Sequence, residues 1–110
     1  MYMAKKSKDP YKDVYRILRK IPNGKVVTYG AISRKLGISP RYVGFILSRN
    51  DHPEKYPCFR VVRSDGSVGG YTINGKSNSR TSAQKRMKLS RAGVIFEGLR
   101  VSRKSILDDI

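Results

Sequence analysis

The chain has 110 residues, 38% of them hydrophobic, with ten glycines. That fits one globular domain and excludes collagen-like or wholly disordered sequences. Twenty-four Lys and Arg against eight Asp and Glu leave a formal charge of +16. Such a surplus repels itself unless a polyanion neutralises it, so nucleic acid is the first expected partner. A ribosome-associated or generally basic protein is the open alternative. A membrane surface fits less well, because no helix pairs a basic face with a broad exposed apolar one. No apolar run is long enough to span a bilayer, and the basic N-terminus lacks the apolar stretch of a signal peptide. The single cysteine and single histidine exclude an internal disulfide and an ordinary zinc site. The expectation is a soluble intracellular protein, cytoplasmic and nucleoid-associated or nuclear, with no metal or organic cofactor.

In chain order, residues 1–8 read as a flexible basic arm and residues 9–110 as a single domain. Asp9-Pro10 is an N-cap followed by a first-turn proline, and Val14, Ile17, Leu18 and Ile21 form the apolar face of a first helix. Pro22-Asn23-Gly24 is a turn, and residues 25–27 are β-branched and extended. Thr28 caps a second helix with Ile32 and Leu36 inward, ended by Gly37. Ser39-Pro40 repeats the cap-then-proline start for a third helix reaching about Asn50, with Val43, Ile46 and Leu47 inward. Two short helices around Gly37-Ile38-Ser39 fit a helix-turn-helix whose recognition helix carries Arg41 and Arg49.

Residues 50–57 form a polar loop. A strand over residues 60–63, a turn at Ser64-Asp65-Gly66 and a return over residues 67–71 make a small hairpin. Residues 72–79 are rich in Asn, Gly and Ser and read as flexible. Thr81 or Ser82 caps a last helix ending near Gly93, with Lys85, Arg86, Lys88 and Arg91 as a basic face. A strand near residues 99–101 and a frayed turn over residues 105–110 complete the chain. The fold class is therefore mostly α with a small β hairpin, a winged helix-turn-helix.

Three segments stand out together. Ile21-Pro22-Asn23-Gly24-Lys25-Val26-Val27-Thr28-Tyr29-Gly30 comes first. Arg41-Tyr42-Val43-Gly44 with the later Asn50 comes second. Pro57-Cys58-Phe59-Arg60-Val61-Val62, Ser64-Asp65-Gly66 and Gly69-Gly70-Tyr71 come third. In this order and spacing they resemble the active-site domain of the O6-alkylguanine-DNA alkyltransferases, whose pattern runs IPxGxVxTYG, RxVG, PCHRVV, SDG and GGY. The family's separate N-terminal domain has no counterpart here.

The resemblance implies binding to the minor groove of double-stranded DNA, rotation of an alkylated guanine out of the stack, and one stoichiometric transfer of the alkyl group to a thiolate. Cys58 is then the acceptor, and Tyr29 sits beside the base and helps rotate the phosphate. Arg41 enters the duplex and fills the vacated space. Asn50 ties the recognition helix to the active-site loop. Thr28, Tyr42 and Arg49 join the DNA-binding set. Phe59, Arg60, Gly69, Gly70, Tyr71 and Thr72 are the base-pocket candidates. The expected species is a monomer. Two positions depart from the family: Phe59 stands where its histidine follows the cysteine, and Ala92 stands where its glutamate precedes the last glycine of the helix.

Each residue also has a plainer reading. A free thiol of pKa ~8.5 is only a few per cent thiolate at neutral pH, and a buried cysteine is often inert. Without the histidine, transfer would slow roughly ten- to a hundredfold if thiolate fraction were its only role. Phe59 is core or pocket lining, and as an apolar ring it raises the thiol pKa. Arg41 is a wedge or a phosphate contact. Tyr29 and Tyr42 are DNA contacts or ordinary aromatics, and the two glycines are pocket wall or turn chemistry. His52 lies in the polar loop and has no expected catalytic part. Three functions follow: alkyl transfer to Cys58, a non-catalytic lesion sensor that recruits other repair factors, or an architectural DNA-binding protein.

Overall fold

Helix α1 (Pro10–Lys20) starts where the Asp9 carboxylate accepts the Lys12 amide at 3.2 Å and Pro10 presets the first turn. Strand β1 (Val27–Thr28) leads directly into α2 (Tyr29–Leu36), because Thr28 Oγ1 accepts the Ala31 amide at 3.0 Å. Gly37 ends α2 in the left-handed region at φ 69°, where a side chain would be strained. Ser39 then caps α3 (Pro40–Ser48) by accepting the Tyr42 amide. Val14, Leu18, Ile32, Val43 and Ile46 from these three helices are fully buried in one core. The helix-turn-helix thus stands where local capping chemistry puts it.

The computed structural model describes residues 7–73, 75–107 and 109–110. The arm expected over residues 1–8 lies outside the described residues except at Ser7 and Lys8. Ser7 is tied down, its amide donating to Leu36 O at 2.8 Å and its hydroxyl to Asp13. No helix among the described residues is long and apolar enough to cross a membrane.

The β structure differs from expectation in its partners. Strand β2 (Val61–Val62) pairs in parallel with β1, matching Val27 to Val61 and Thr28 to Val62. It does not pair back on residues 67–71. Arg63 and Ser67 close a turn, and Ser67 then bridges Arg100. After helix α4 (Ser79–Arg91), the antiparallel hairpin is made by β3 (Phe96–Glu97) and β4 (Arg100–Val101), turning at Gly98. Two further details shift. Helix α3 stops at Ser48 with Arg49 as its C-cap, and α4 is capped by Asn78, with Thr81 as the reciprocal member of a capping box. On the other side of β1, the Val26 amide donates to Ser105 O and Val26 O accepts the Leu107 amide, each at 2.8 Å. The tail therefore acts as a third strand-like layer.

Residues 58–60 form a single 3-10 turn ahead of β2. Its last member, Arg60, is buried and reaches back to the Pro22-Asn23-Gly24 turn. Nη1 donates to Ile21 O at 3.2 Å and Pro22 O at 2.8 Å, and Nη2 to Asn23 Oδ1 at 2.5 Å. Charge-assisted bonds of this kind leave three acceptors wanting if the donor goes. Arg60→Ala is expected to lower unfolding free energy by about 2–4 kcal/mol. Arg60→Lys should recover less than half of that, since an ammonium lacks the planar fork. Urea midpoints of the three proteins read this directly.

Candidate functional site

Residues 58–60 form a 3-10 turn, and Cys58 lines one cleft while Phe59 and Arg60 line another. Cys58 opens onto a cleft of about 490 Å³ walled by α2, α3 and the segment after β2. That is within the ~300–1,000 Å³ range of small-ligand pockets. The thiol is 7% exposed. Phe59 turns into a separate depression, where the Lys88 ammonium lies 5.8 Å from its ring centroid. Arg60 is committed to the Pro22 turn. The expectation that Phe59 and Arg60 line the same pocket as Cys58 is not met: both line the separate depression, and Cys58 does not.

The remaining candidates divide cleanly. Tyr29, Arg41, Gly70, Tyr71 and Thr72 line the cleft with Cys58. Gly69 does not line it, but backs it: its φ is +78°, and a Cβ there would lie 3.3 Å from the Tyr29 ring. Thr28 is buried, with its hydroxyl oxygen used in the α2 cap. Tyr42 and Arg49 are exposed on α3, outside the cleft. Asn50 donates from Nδ2 to Tyr56 O at 2.7 Å, and the Cys58 amide donates to the same carbonyl at 2.7 Å. One carbonyl thus links the end of α3 to the turn carrying the sulfur. His52 is exposed, 3.7 Å from Glu54, and does not line the cleft. Ala92 is the C-cap of α4 and lies against Gly24.

The residue missed by sequence reasoning is Lys85. It is fully buried, and its Nζ donates to Gly70 O at 3.1 Å and to Tyr29 Oη at 3.5 Å, with the Tyr29 ring centroid 5.6 Å away. The ion pairs among the described residues join Arg16 to Asp13 and His52 to Glu54, so no carboxylate answers this ammonium. The signal was present in the spacing. Thr81, Lys85 and Leu89 recur every four residues on one helix face, and the flanking two are buried. Reading Lys85 with Arg86, Lys88 and Arg91 as one basic face hid it.

Electrostatics follow from this burial. Loss of water pulls Lys85 down to about 8, with the Cys58 sulfur opposing and Arg63 adding to the fall. Burial pushes the Cys58 thiol up, while the Asn50 amide, Lys85, its own backbone and Lys88 hold it back. Burial, with Cys58 nearby, also raises the Tyr29 hydroxyl against Arg63. At neutral pH the cleft therefore holds a thiol, a phenol and an ammonium in one group. Among the described residues no three His, Cys, Asp or Glu side chains come together to hold a metal ion.

Residues 9–94 match the family model for the 6-O-methylguanine DNA methyltransferase DNA-binding domain. The bifunctional methyltransferase/endonuclease of Thermoplasma volcanium is 41% identical over 91 residues, covering 81% of this chain and 27% of that protein. S. pombe Atl1, solved with damaged DNA containing O6-carboxymethylguanine, superposes with a TM-score of 0.66 at 27% identity, covering 88% of this chain and 89% of that one. The O6-methylguanine-DNA methyltransferase of Pyrococcus kodakaraensis superposes with a TM-score of 0.61 at 37% identity, over 76% of this chain and 46% of that one. The chain thus spans about a quarter of the curated relative's length and under half of the archaeal enzyme's.

Lys85 carries a stability signature. Between pH about 8 and 10.5 the folded chain binds fewer protons at this site than the unfolded chain, so stability rises with pH across that window. Below it the full cost of burying the ammonium is present. Lys85→Met is expected to raise unfolding free energy at pH 7 by on the order of 3 kcal/mol and to flatten the rise above pH 8. Urea titrations at pH 7, 8, 9 and 10 measure both effects.

Proposed function

The chain belongs to the 6-O-methylguanine DNA methyltransferase family through its DNA-binding domain, and on that premise we propose that it binds duplex DNA as a monomer, draws an O6-alkylguanine into the cleft and takes the alkyl group onto Cys58. The observation that carries this reading is the position of the chain's one cysteine at the wall of an open cleft beside Tyr29 and Arg41. In this reading α3 enters the minor groove, and Arg41, at its first turn, fills the space the base leaves. Asn50 and the shared Tyr56 carbonyl keep the sulfur in register with that helix.

The transfer balances with the groups present. The Cys58 sulfur forms a bond to the alkyl carbon as the carbon–O6 bond breaks. The thiol gives up one proton, and the departing guanine gains one. In this reading Tyr29, which lines the cleft, and Lys85, hydrogen-bonded to its hydroxyl, pass that proton. Lys85 is protonated below about pH 8, and its charge near the sulfur favours the thiolate. It takes over part of the electrostatic work that a neighbouring histidine would do at position 59, so transfer is slow but not abolished.

A second reading has its own support. Phe59 lies outside the cleft that Cys58 lines, burial raises the thiol, and the fold matches S. pombe Atl1 over nearly the whole of both chains. In that reading the same cleft holds the lesion without transfer, and the complex recruits other repair factors.

Mass spectrometry separates the readings. After incubation with DNA containing O6-methylguanine, the peptide carrying Cys58 is expected to gain one methyl group, and Cys58→Ala to gain none. No gain, with tighter binding to lesion DNA than to plain DNA, would establish the sensor. Equal binding to both DNAs would leave only an architectural role. Single-turnover rates should climb from pH 6 to 8, and Lys85→Met should slow transfer at pH 7 about tenfold or more. Arg41→Ala is expected to reduce lesion discrimination more than overall binding. An equal loss on both DNAs would mark Arg41 as a phosphate contact only.

A further inference from the structure

Helix α3 buries Val43, Ile46 and Leu47 and turns Gly44 and Arg41 toward the cleft. The rest of its circumference is aromatic and exposed, which the transfer reaction does not use. Tyr42 is 39% and Phe45 45% exposed. Their rings lie nearly parallel, 18° apart, with centroids separated by 6.3 Å. Tyr11 of α1 extends the patch, edge-on to Tyr42 at 6.3 Å. The Arg49 guanidinium sits 5.0 Å above the Phe45 ring. Arg41, Phe45 and Arg49 follow at four-residue intervals, so a cation stands one turn before and one turn after the ring on the same line of the helix.

We infer that this Tyr42–Phe45–Arg49 face is a stacking platform for unpaired nucleobases, giving the chain a second mode of DNA binding beside the cleft. Two flat rings bracketed by guanidinium groups match the recognition chemistry of single strands. Bases stack on aromatic faces, and the flanking phosphates are met by cations. Charge selects this occupant over a protein surface. The helix carries no acidic residue, and the chain carries +16, so the partner is a polyanion that also offers π faces. The inference rests on the preceding reading only in taking DNA as the polymer; it involves neither lesion nor transfer.

The experiment therefore uses undamaged DNA. Fluorescence anisotropy compares the full chain on a short oligothymidylate, on an abasic strand of the same length and charge, and on a duplex, each across a salt series. Wild type is expected to bind oligothymidylate about tenfold or more tighter than the abasic strand. Phe45→Ala should remove about five- to a hundredfold of the affinity for oligothymidylate. Binding to the abasic strand, and the slope against salt, should stay as in wild type. Equal binding of wild type to both strands, or equal losses on both, would overturn the proposal and leave a purely electrostatic surface. A change of elution volume from dimer to monomer in Phe45→Ala would also overturn it, making the patch a contact between copies. Phe45 is an exposed position, and a melting curve confirms that the variant folds. Methyl transfer to Cys58 is scored separately, so either reading can fail alone.

Discussion

The bonds from Arg60 to the Pro22 turn are the constraint from which the rest of the site follows. One guanidinium fastens the segment after α1 to the turn before β2. Because that turn is 3-10, fixing Arg60 fixes the directions of its two predecessors. Cys58 lines the cleft, and Phe59 lines the separate depression with Arg60. The parallel pairing of β1 with β2 extends the same junction, and β1 runs straight into the capped start of α2 where Tyr29 sits. Sulfur and phenol are therefore tied to one junction, and the Asn50–Tyr56 bond joins the end of α3 to the turn that carries the sulfur.

Local chemistry was legible in the sequence and long-range pairing was not. Asp9-Pro10, Thr28 and Ser39-Pro40 act within three residues of themselves, so the first three helices fall where their caps predict. The strand after Cys58 was recognisable by its valines, but its partner was not. A two-residue strand carries no register information of its own, and Val61 and Val62 pair with β1 instead of the glycine-rich return at residues 67–71. The cap of α4 moved from Thr81 or Ser82 to Asn78 because a threonine can serve as cap or as its reciprocal partner. The cleft residues Tyr29, Arg41, Cys58, Gly70, Tyr71 and Thr72 were all among the sequence candidates. Phe59 and Arg60 were placed with them by adjacency in sequence, but they line a separate depression.

Lys85 shows the reverse error, a site residue concealed by its company. A lysine among basic neighbours reads as a solvated charge, yet its four-residue spacing from Thr81 and Leu89 puts it inside. Burying an unanswered ammonium opposes folding, so its presence against Tyr29 and Gly70 is a cost carried for the sake of the cleft's electrostatics. The same group that lowers stability supplies a positive charge beside Tyr29 and Gly70 of the cleft wall. Function and stability are thus set against each other at one side chain.

The tail beside β1 has a consequence for how the molecule comes together. Val26 satisfies its amide and carbonyl with Ser105 and Leu107, residues nearly the whole length of the chain away. During synthesis the three capped helices emerge early and can form from local contacts. The edge of the strand that launches α2 stays open until residues 105–107 have been made. The three capped helices are thus assembled first and locked later, and a nascent chain carries an unpaired strand edge until that segment emerges.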